Sequence, residues 1–178
     1  MAALFGQLWQ ELQLNDIVLI GHSIGGKLAM LLAQQHQDLI AKLIVVDIAP
    51  KAYPNRHQKI FNALLSLDLK LLTNRREADQ ALSRTITDKA IRQFLLMNLI
   101  VDNGVLSWRI NLPAIIDNYP ELMAEAKRQS SEIPTLFING GKSDYIEPDD
   151  VRLIQSYFSN SQLKTIAEVG HWVHAESP

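Results

Sequence analysis

One short segment constrains this chain more than any other: an apolar run that leads into a glycine-rich turn and then a helix. Residues 17–20 are continuously apolar, which is typical of a buried strand in a parallel sheet. The turn is Gly21-His22-Ser23-Ile24-Gly25, and apolar residues then recur with helical spacing over residues 24–37. A second buried-strand pattern at 43–46 ends in Asp47. The segment is therefore predicted to be a βαβ unit with a right-handed crossover.

The rest of the chain predicts an α/β fold with an insertion. Residues 1–50 and 129–178 carry the patterns of a parallel-sheet core, whereas residues 51–128 have a helical pattern and form a predicted helical cap insertion. A pair of long crossover helices is the alternative, but the block is longer than a crossover requires. The core has about four strands, and the chain stops at Pro178 where another helix is expected. It therefore looks truncated at the N-terminus and at the C-terminus. Helices are predicted at 4–12, 57–69, 76–86, 89–99 and 148–158, with one or two more within 113–127. Strands are predicted at 134–139 and 163–166, and a short extended piece at 105–110.

Composition excludes several classes of function. With 17 Lys+Arg, 19 Asp+Glu and a net charge of −2, the chain has no electrostatic reason to bind nucleic acid or an anionic membrane. It has no cysteine, which excludes disulfides, thiol nucleophiles and cysteine-based zinc sites. No apolar run reaches the roughly 18 residues of a membrane span, and the N-terminus lacks the basic start of a secretory signal. We expect a cytoplasmic globular protein without a metal; its oligomeric state stays open.

The turn fits G-x-S-x-G, the pattern of a nucleophile elbow, in the strand–turn–helix context that an elbow requires. A strained turn lifts the Ser23 hydroxyl clear of the sheet, and small residues two before and two after let strand and helix pass closely. The Ile24 N–H, at the helix N-terminus, is then expected to point at the developing oxyanion. The same turn matches part of a phosphate loop, but Leu28 replaces the hydroxyl residue that binds magnesium there. We therefore favour a nucleophile over a phosphate loop or an incidental serine.

A serine nucleophile needs a base, and His171 is the leading candidate. It follows a predicted strand and a glycine near the C-terminus, which suits the hydrolase order of serine, acid and histidine. His174 is the next candidate, and His22, inside the elbow, is expected to line the site. His36 and His57 lie on predicted helices, where solvated positions are expected.

The acid that orients the base has two candidates. Asp144 lies in the loop after the strand at 134–139, and Asp47 ends the strand that follows the elbow helix. Either carboxylate follows a strand of the same parallel sheet, so each is expected near the imidazole. Spacing alone slightly favours Asp144, and the other carboxylate would then cap its loop.

These residues resemble the α/β-hydrolase superfamily and, within it, the small bacterial esterases of the YbfF type. The resemblance implies an α/β-hydrolase fold with a helical cap over the site, hydrolysis of short- or medium-chain acyl esters and of acyl-CoA thioesters, and no cofactor. The segments that carry it span nearly the whole chain: Gly-His-Ser-Ile-Gly-Gly-Lys at 21–27, Val-Asp-Ile-Ala-Pro at 46–50, Trp-Arg-Ile-Asn-Leu-Pro at 108–113, Asn-Tyr-Pro at 118–120, Gly-Gly-Lys-Ser at 140–143 and Gly-His-Trp-Val-His-Ala at 170–175.

The resemblance also changes two expectations. In some of these relatives the position that matches Asp144 is not acidic, and the position that matches Asp47 then supplies the acid. Both aspartates therefore stay open at near parity. The family's early strands, and the His-Gly stretch that supplies a second oxyanion donor, precede the elbow and are absent from this sequence, so the second donor stays unassigned.

The leading hypothesis is a serine hydrolase of carboxylic esters, a small-molecule acyl substrate. Ser23 attacks the acyl carbon, His171 moves the proton, one of the two aspartates orients it, and the Ile24 N–H binds the oxyanion. Two alternatives stay open: a non-catalytic binding module on a hydrolase scaffold, and a C–C hydrolase or perhydrolase with the same triad. Side chains expected to shape the substrate pocket are His22, Phe94, Leu95, Trp108, Tyr119 and Trp172.

Overall fold

The computed structural model describes residues 2–126 and 129–177. The chain divides into two compact units, the first comprising Met1–Tyr53 with Leu122–Pro178 and the second comprising Pro54–Glu121. The sequence predicts an insertion over 51–128, of which residues 127 and 128 lie outside the described residues. In chain order, the described elements are α1 (Ala2–Glu11), β1 (Ile17–His22), α2 (Ile24–Gln35), β2 (Ile40–Val46), α3 (Gln58–Leu65), α4 (Arg75–Leu82), α5 (Lys89–Leu96), β3 (Leu99–Asp102), β4 (Val105–Trp108), α6 (Leu112–Asp117), α7 (Tyr119–Met123), β5 (Thr135–Gly140), α8 (Asp150–Tyr157), β6 (Ser161–Ile166) and α9 (Val173–Glu176).

The first unit is built on a parallel sheet. Its described strands lie in the order β1-β2-β5-β6, and each neighbouring pair is parallel. Val46, the last residue of β2, is paired with His22 on one side and with Ile138 on the other. Because the strands are parallel, their carboxyl ends lie at one edge of the sheet, where functional side chains of α/β folds gather. The predicted α/β fold with a parallel sheet is confirmed.

The core of the first unit lies around the two middle strands. Val45 of β2 and Phe137 of β5 are fully buried, and Met30 of α2 is buried with them. Strand β1 differs, because Val18 and Ile20 are 53% and 65% exposed. The sequence correctly predicts where β1 lies, but its prediction that the run is buried throughout is wrong for this face. In the described part of the chain, β1 is an end strand of the sheet, paired with β2 alone.

The second unit has its own apolar core and a short antiparallel hairpin. Strands β3 and β4 pair so that Leu99 faces Trp108. The sequence predicts a helix up to residue 99 and no strand before residue 105, and this prediction is wrong. Asn103 and Gly104 have φ of 47° and 78°, the left-handed backbone of a two-residue Asn-Gly turn, which brings β3 against β4. The core side chains are Ala63, Leu64, Ala78, Leu82, Ile86, Leu96, Leu99, Leu106 and Leu112.

The helices are short. No helix in the described parts of the chain combines the length and the apolar character needed to cross a bilayer. The sequence predicts one or two helices over 113–127; the structure has α6 and α7 there, and the expected end at residue 127 lies outside the described residues.

Candidate active site

Ser23 lies in a strained turn between β1 and α2. Its φ of 53° and ψ of −123° lie outside the regions that residues with a Cβ ordinarily adopt. The turn is held by hydrogen bonds: the Ser23 N–H donates to Val46 O over 2.9 Å, and Ser23 O accepts from the Gly26 N–H over 2.8 Å. A backbone held in this way projects the Ser23 side chain out of the turn, which matches the expected geometry of an elbow.

Small residues are expected two positions before and two positions after Ser23, and the structure requires a small residue at only one of these positions. A Cβ on Gly21 would lie 2.4 Å from the Gly25 carbonyl oxygen, so a larger residue at position 21 would push the helix away from the strand. A Cβ on Gly25 would meet nothing within 4 Å in the described part of the chain. The close approach of strand to helix therefore depends on Gly21.

The Ser23 hydroxyl meets the imidazole of His171. Ser23 Oγ lies 3.0 Å from His171 Nε2, although the two residues are 148 positions apart. His171 lies between β6 and α9, and β6 is at the opposite end of the described sheet from β1. The segment that carries His171 therefore crosses the carboxyl ends of the strands to reach the elbow. The structure brings these two predicted residues together within hydrogen-bonding distance.

Asp47 is the carboxylate that contacts this imidazole. It follows β2, its side chain is completely buried, and its φ is 52°. Asp47 Oδ2 lies 2.7 Å from His171 Nδ1 and also accepts from the Ser143 hydroxyl, while Oδ1 accepts from the Gly140 N–H over 2.9 Å. The carboxylate can only accept, so Nδ1 carries a proton and Nε2 of the neutral ring is left to accept from Ser23.

Asp144 has a different environment. Its side chain is exposed, in the loop that follows β5. Both ring nitrogens of His171 are already engaged, by Asp47 on one side and by Ser23 on the other. The spacing of the sequence slightly favours Asp144, whereas the geometry favours Asp47.

Three residues that the sequence reasoning did not select belong to the network of contacts around His171 and Asp47. Ser143 donates to Asp47, and the ring of Tyr145 stacks on His171 with centroids 4.0 Å apart and planes 16° apart. The Tyr53 hydroxyl donates to Tyr145 O over 2.5 Å and accepts from the Ala49 N–H over 2.8 Å. Burial raises the pKa of Tyr53 well above its ordinary value, so the hydroxyl keeps its proton. Ser143 was within reach of the sequence, since it ends the family-like segment at 140–143; the two tyrosines carry no such signal.

His22 and Trp172 lie beside His171. His22 Nε2 is 2.8 Å from the carbonyl oxygen of His171, and the two rings are 4.8 Å apart. Burial lowers the pKa of His22, which favours its neutral ring. The Trp172 ring is half-buried and lies 5.9 Å from that of His171. His22 thus contacts the backbone of the predicted base, whereas the sequence predicts only that it lines the site.

Ile24, the predicted oxyanion donor, is the first residue of α2. Its N–H belongs to the first turn of the helix, where no preceding carbonyl of the same helix is available as a partner. This N–H adjoins the Ser23 turn and lies at the positive end of the helix dipole. Both features suit the binding of a developing negative charge.

The remaining predicted site residues, Trp108 and Tyr119, belong to the second unit. Trp108 ends β4 and packs against the apolar core of that unit. Tyr119 is buried, and its ring meets Phe61 edge-on with centroids 4.9 Å apart. Its hydroxyl lies within hydrogen-bonding distance of His57 Nδ1. Their predicted contact with substrate stays a prediction.

The contacts of Lys27 distinguish this turn from a phosphate loop. In a phosphate loop this lysine reaches toward the phosphates. Here its ammonium donates to backbone carbonyl oxygens, those of Lys51 over 2.5 Å, Met123 over 3.4 Å and Ala124. Among the residues that the structure describes, no group of three or more histidines and carboxylates is arranged to hold a metal ion. The contact between Ser23 Oγ and His171 Nε2 is suited to nucleophilic chemistry by an activated serine.

Comparison with known proteins agrees with the fold described above. A protein-family model described as the alpha/beta hydrolase fold matches residues 1–178. The sn-1-specific diacylglycerol lipase ABHD11 of Mus musculus is 38% identical over 178 residues, which cover 96% of this chain and 58% of that protein. Esterase YbfF of Escherichia coli is 35% identical over 167 residues, covering 93% of this chain and 64% of the esterase.

A solved structure extends the comparison to three dimensions. A marine microorganism esterase superposes with a TM-score of 0.95 at 36% sequence identity, covering 99% of this chain and 71% of that one. The chain spans less than two thirds of the length of the two curated relatives, 58% of one and 64% of the other.

Proposed function

Because the chain belongs to the alpha/beta hydrolase family, we propose that it is a serine hydrolase that cleaves short- to medium-chain carboxylic esters. The observation that carries the proposal is the line of contacts from Ser23 Oγ through the His171 ring to Asp47, at 3.0 Å and 2.7 Å. Relatives that are 38% and 35% identical to the chain over the aligned residues are named as a diacylglycerol lipase and an esterase. Hydrolysis of an acyl ester is the reaction that both the contacts and these names support.

In the first half-reaction, Ser23 Oγ attacks the acyl carbon while His171 Nε2 takes the hydroxyl proton. The carbonyl oxygen becomes an oxyanion, which we propose is bound by the Ile24 N–H at the start of α2. When the tetrahedral intermediate collapses, the ester C–O bond breaks and His171 returns the proton to the leaving alcohol. The acyl group stays on Ser23. A water molecule then repeats the same steps, releasing the acid and restoring the Ser23 hydroxyl.

We assign the acid of the triad to Asp47. Its carboxylate holds the proton of His171 on Nδ1, which leaves Nε2 able to accept, and its negative charge stabilises the imidazolium that forms during attack. Donation from the Gly140 N–H and the Ser143 hydroxyl fixes the orientation of the carboxylate. Support for this assignment over Asp144 comes from the engagement of both ring nitrogens of His171 by Asp47 and Ser23.

The substrate is proposed to be a short- to medium-chain acyl ester, with acyl-CoA thioesters as a second class. The same attack on an acyl carbon serves both classes, since the atom that leaves is oxygen in an ester and sulfur in a thioester. Trp172, beside His171, is proposed to contact the acyl group. Trp108 and Tyr119 keep the same proposed role on the basis of the sequence. A metal or organic cofactor has no step in this mechanism.

Labelling with a fluorophosphonate tests the proposal, since the reagent bonds covalently to activated serines. We expect the intact protein to be labelled at Ser23 and Ser23→Ala to be unlabelled. Turnover is then measured on p-nitrophenyl acetate, butyrate, octanoate and palmitate, with butyryl-CoA in parallel. Absence of label on the wild type, or equal label on Ser23→Ala, would reject the hydrolase. Binding of these esters without turnover would favour a binding module instead.

A further inference from the structure

The segment that carries His171 has to be held across the sheet. It follows β6, whereas the Ser23 elbow follows β1, at the other end of the described sheet. One anchor is the Lys142 N–H, which donates to Val169 O over 2.8 Å and ties the segment to the loop after β5. Another is internal, from the Gly170 N–H to the Glu176 carboxylate over 2.8 Å. Neither of these anchors reaches β1.

His22 supplies a link to β1. It is the last residue of that strand and directly precedes the nucleophile. Its Nε2 lies 2.8 Å from the carbonyl oxygen of His171, a contact between residues 149 positions apart. A carbonyl oxygen can only accept, so Nε2 of His22 carries the proton and donates it. The side chain before the nucleophile thus bonds to the backbone of the base.

We propose that His22 is a positioning residue that fixes the backbone of His171 relative to the elbow. The inference rests on the proposed function, because it concerns how the serine and its base are kept in register. Ser23 and His22 are adjacent on one strand end, so the two contacts, to His171 Nε2 and to His171 O, hold the base at two points. The second contact remains in place while the first exchanges its proton during the reaction.

The packing around His22 favours this role over simple contact with substrate. The centroid of its ring lies 5.9 Å from the ring centroid of Trp172 and 5.0 Å from that of His174. These rings pack against the imidazole, and the hydrogen bond to His171 O sets the direction of Nε2. A small displacement of a base relative to its nucleophile lowers the rate strongly, by as much as about 100-fold for an ångström.

Three substitutions of His22 distinguish the effect of side-chain length from the effect of a hydrogen-bond donor. Gln places an amide N–H near the position of Nε2, Asn has a similar amide that falls short of it, and Leu has no donor. We expect H22L and H22N to lower kcat on hydrolysed esters by about tenfold, with KM changed less than about twofold. H22Q should recover most of the wild-type kcat. His174→Leu is the matched control, since its ring also packs on His22 and the bond to His171 O is intact.

Hydrogen exchange of residues 167–172 supplies a readout that does not require turnover. We expect faster amide exchange there in H22L and H22N, and wild-type exchange in H22Q and His174→Leu, with circular dichroism to verify folding. Wild-type kcat and exchange in H22N, or equal losses in H22Q and H22N, would overturn the proposal. If the wild type is neither labelled at Ser23 nor active, the proposed function fails, and the exchange rates still decide whether His22 anchors the segment. If H22L does not fold, the Gln and Asn pair decides.

Discussion

Replacing Asp47 with asparagine tests the assignment of the acid, because the substitution keeps the shape and changes the hydrogen-bonding pattern. Asp47 accepts three hydrogen bonds: Oδ1 from the Gly140 N–H, and Oδ2 from His171 and from Ser143. An asparagine has one acceptor oxygen and one NH₂ group in these two positions. The side chain is completely buried, so water cannot take the place of a lost partner.

Each orientation of the amide has its own consequence. With its oxygen toward Gly140, the NH₂ group faces His171 and bonds only to a ring whose Nδ1 has lost its proton. Nε2 then carries the proton and no longer accepts from Ser23, so we expect kcat/KM to fall on the order of 10⁴, the loss that a wrong tautomer produces in serine proteases. With the amide reversed, the buried Gly140 N–H faces a donor, which destabilises the fold by about 1–3 kcal/mol.

The assay compares Asp47→Asn with Asp144→Asn, the alternative acid. The rate constant for fluorophosphonate labelling and kcat/KM for a p-nitrophenyl ester are measured on both, with thermal unfolding to verify that each is folded. We expect the large loss in Asp47→Asn and a change of less than about threefold in Asp144→Asn, whose side chain is exposed. A large loss in Asp144→Asn together with near wild-type rates in Asp47→Asn would refute the assignment.

Three further predictions, made with four substitutions, concern the surroundings of the proposed triad. Ser143→Ala removes one donor to Asp47, so ester hydrolysis should show kcat about tenfold lower with KM unchanged; an unaltered kcat would mean that Gly140 suffices to orient the carboxylate. Gly21→Ala should lower the urea midpoint strongly because its Cβ would lie 2.4 Å from backbone, whereas Gly25→Ala should change the free energy of unfolding by no more than about 1 kcal/mol. Burial lowers the pKa of His22 from 6.5, so the unfolded chain takes up that proton first as the pH falls. The free energy of unfolding should therefore decline below pH 6.5 through His22, and the decline should be smaller in His22→Gln by urea titration; equal pH profiles would contradict this.

The sequence predicts the nucleophile and the base because their positions follow from topology. A strand, a glycine-rich turn and a helix place Ser23 at the carboxyl end of β1, and parallel strands bring all carboxyl ends to one edge. The glycine and histidine after β6 arrive at that same edge. The geometry of Ser23 and His171 could be expected on these grounds without knowledge of packing.

The choice between Asp47 and Asp144 could not be made in this way. Both residues follow strands of the same sheet, so topology places both near the imidazole. The difference lies in the positive φ of Asp47, which is 52°, and in the donors that meet its buried carboxylate. Those donors come from β5 and its loop, more than 90 positions away along the chain, and the sequence around Asp47 does not indicate them. The stacking of Tyr145 on His171 is likewise a tertiary contact that the sequence around either residue does not indicate.

The contacts of Asp47 give a reason to expect that stability and catalysis are linked in the proposed site. The residue follows β2, the strand that lies between β1, which Ser23 directly follows, and β5, which ends at Gly140. Its carboxylate binds the end of β5 through Oδ1 and the base through Oδ2, so one buried group joins segments that belong to three different parts of the chain. Burying a carboxylate is unfavourable unless donors compensate it. The donors that compensate the burial of the Asp47 carboxylate are therefore also the donors that orient it toward His171. We expect a substitution that removes one of these donors to affect both the stability of the fold and the rate of the reaction.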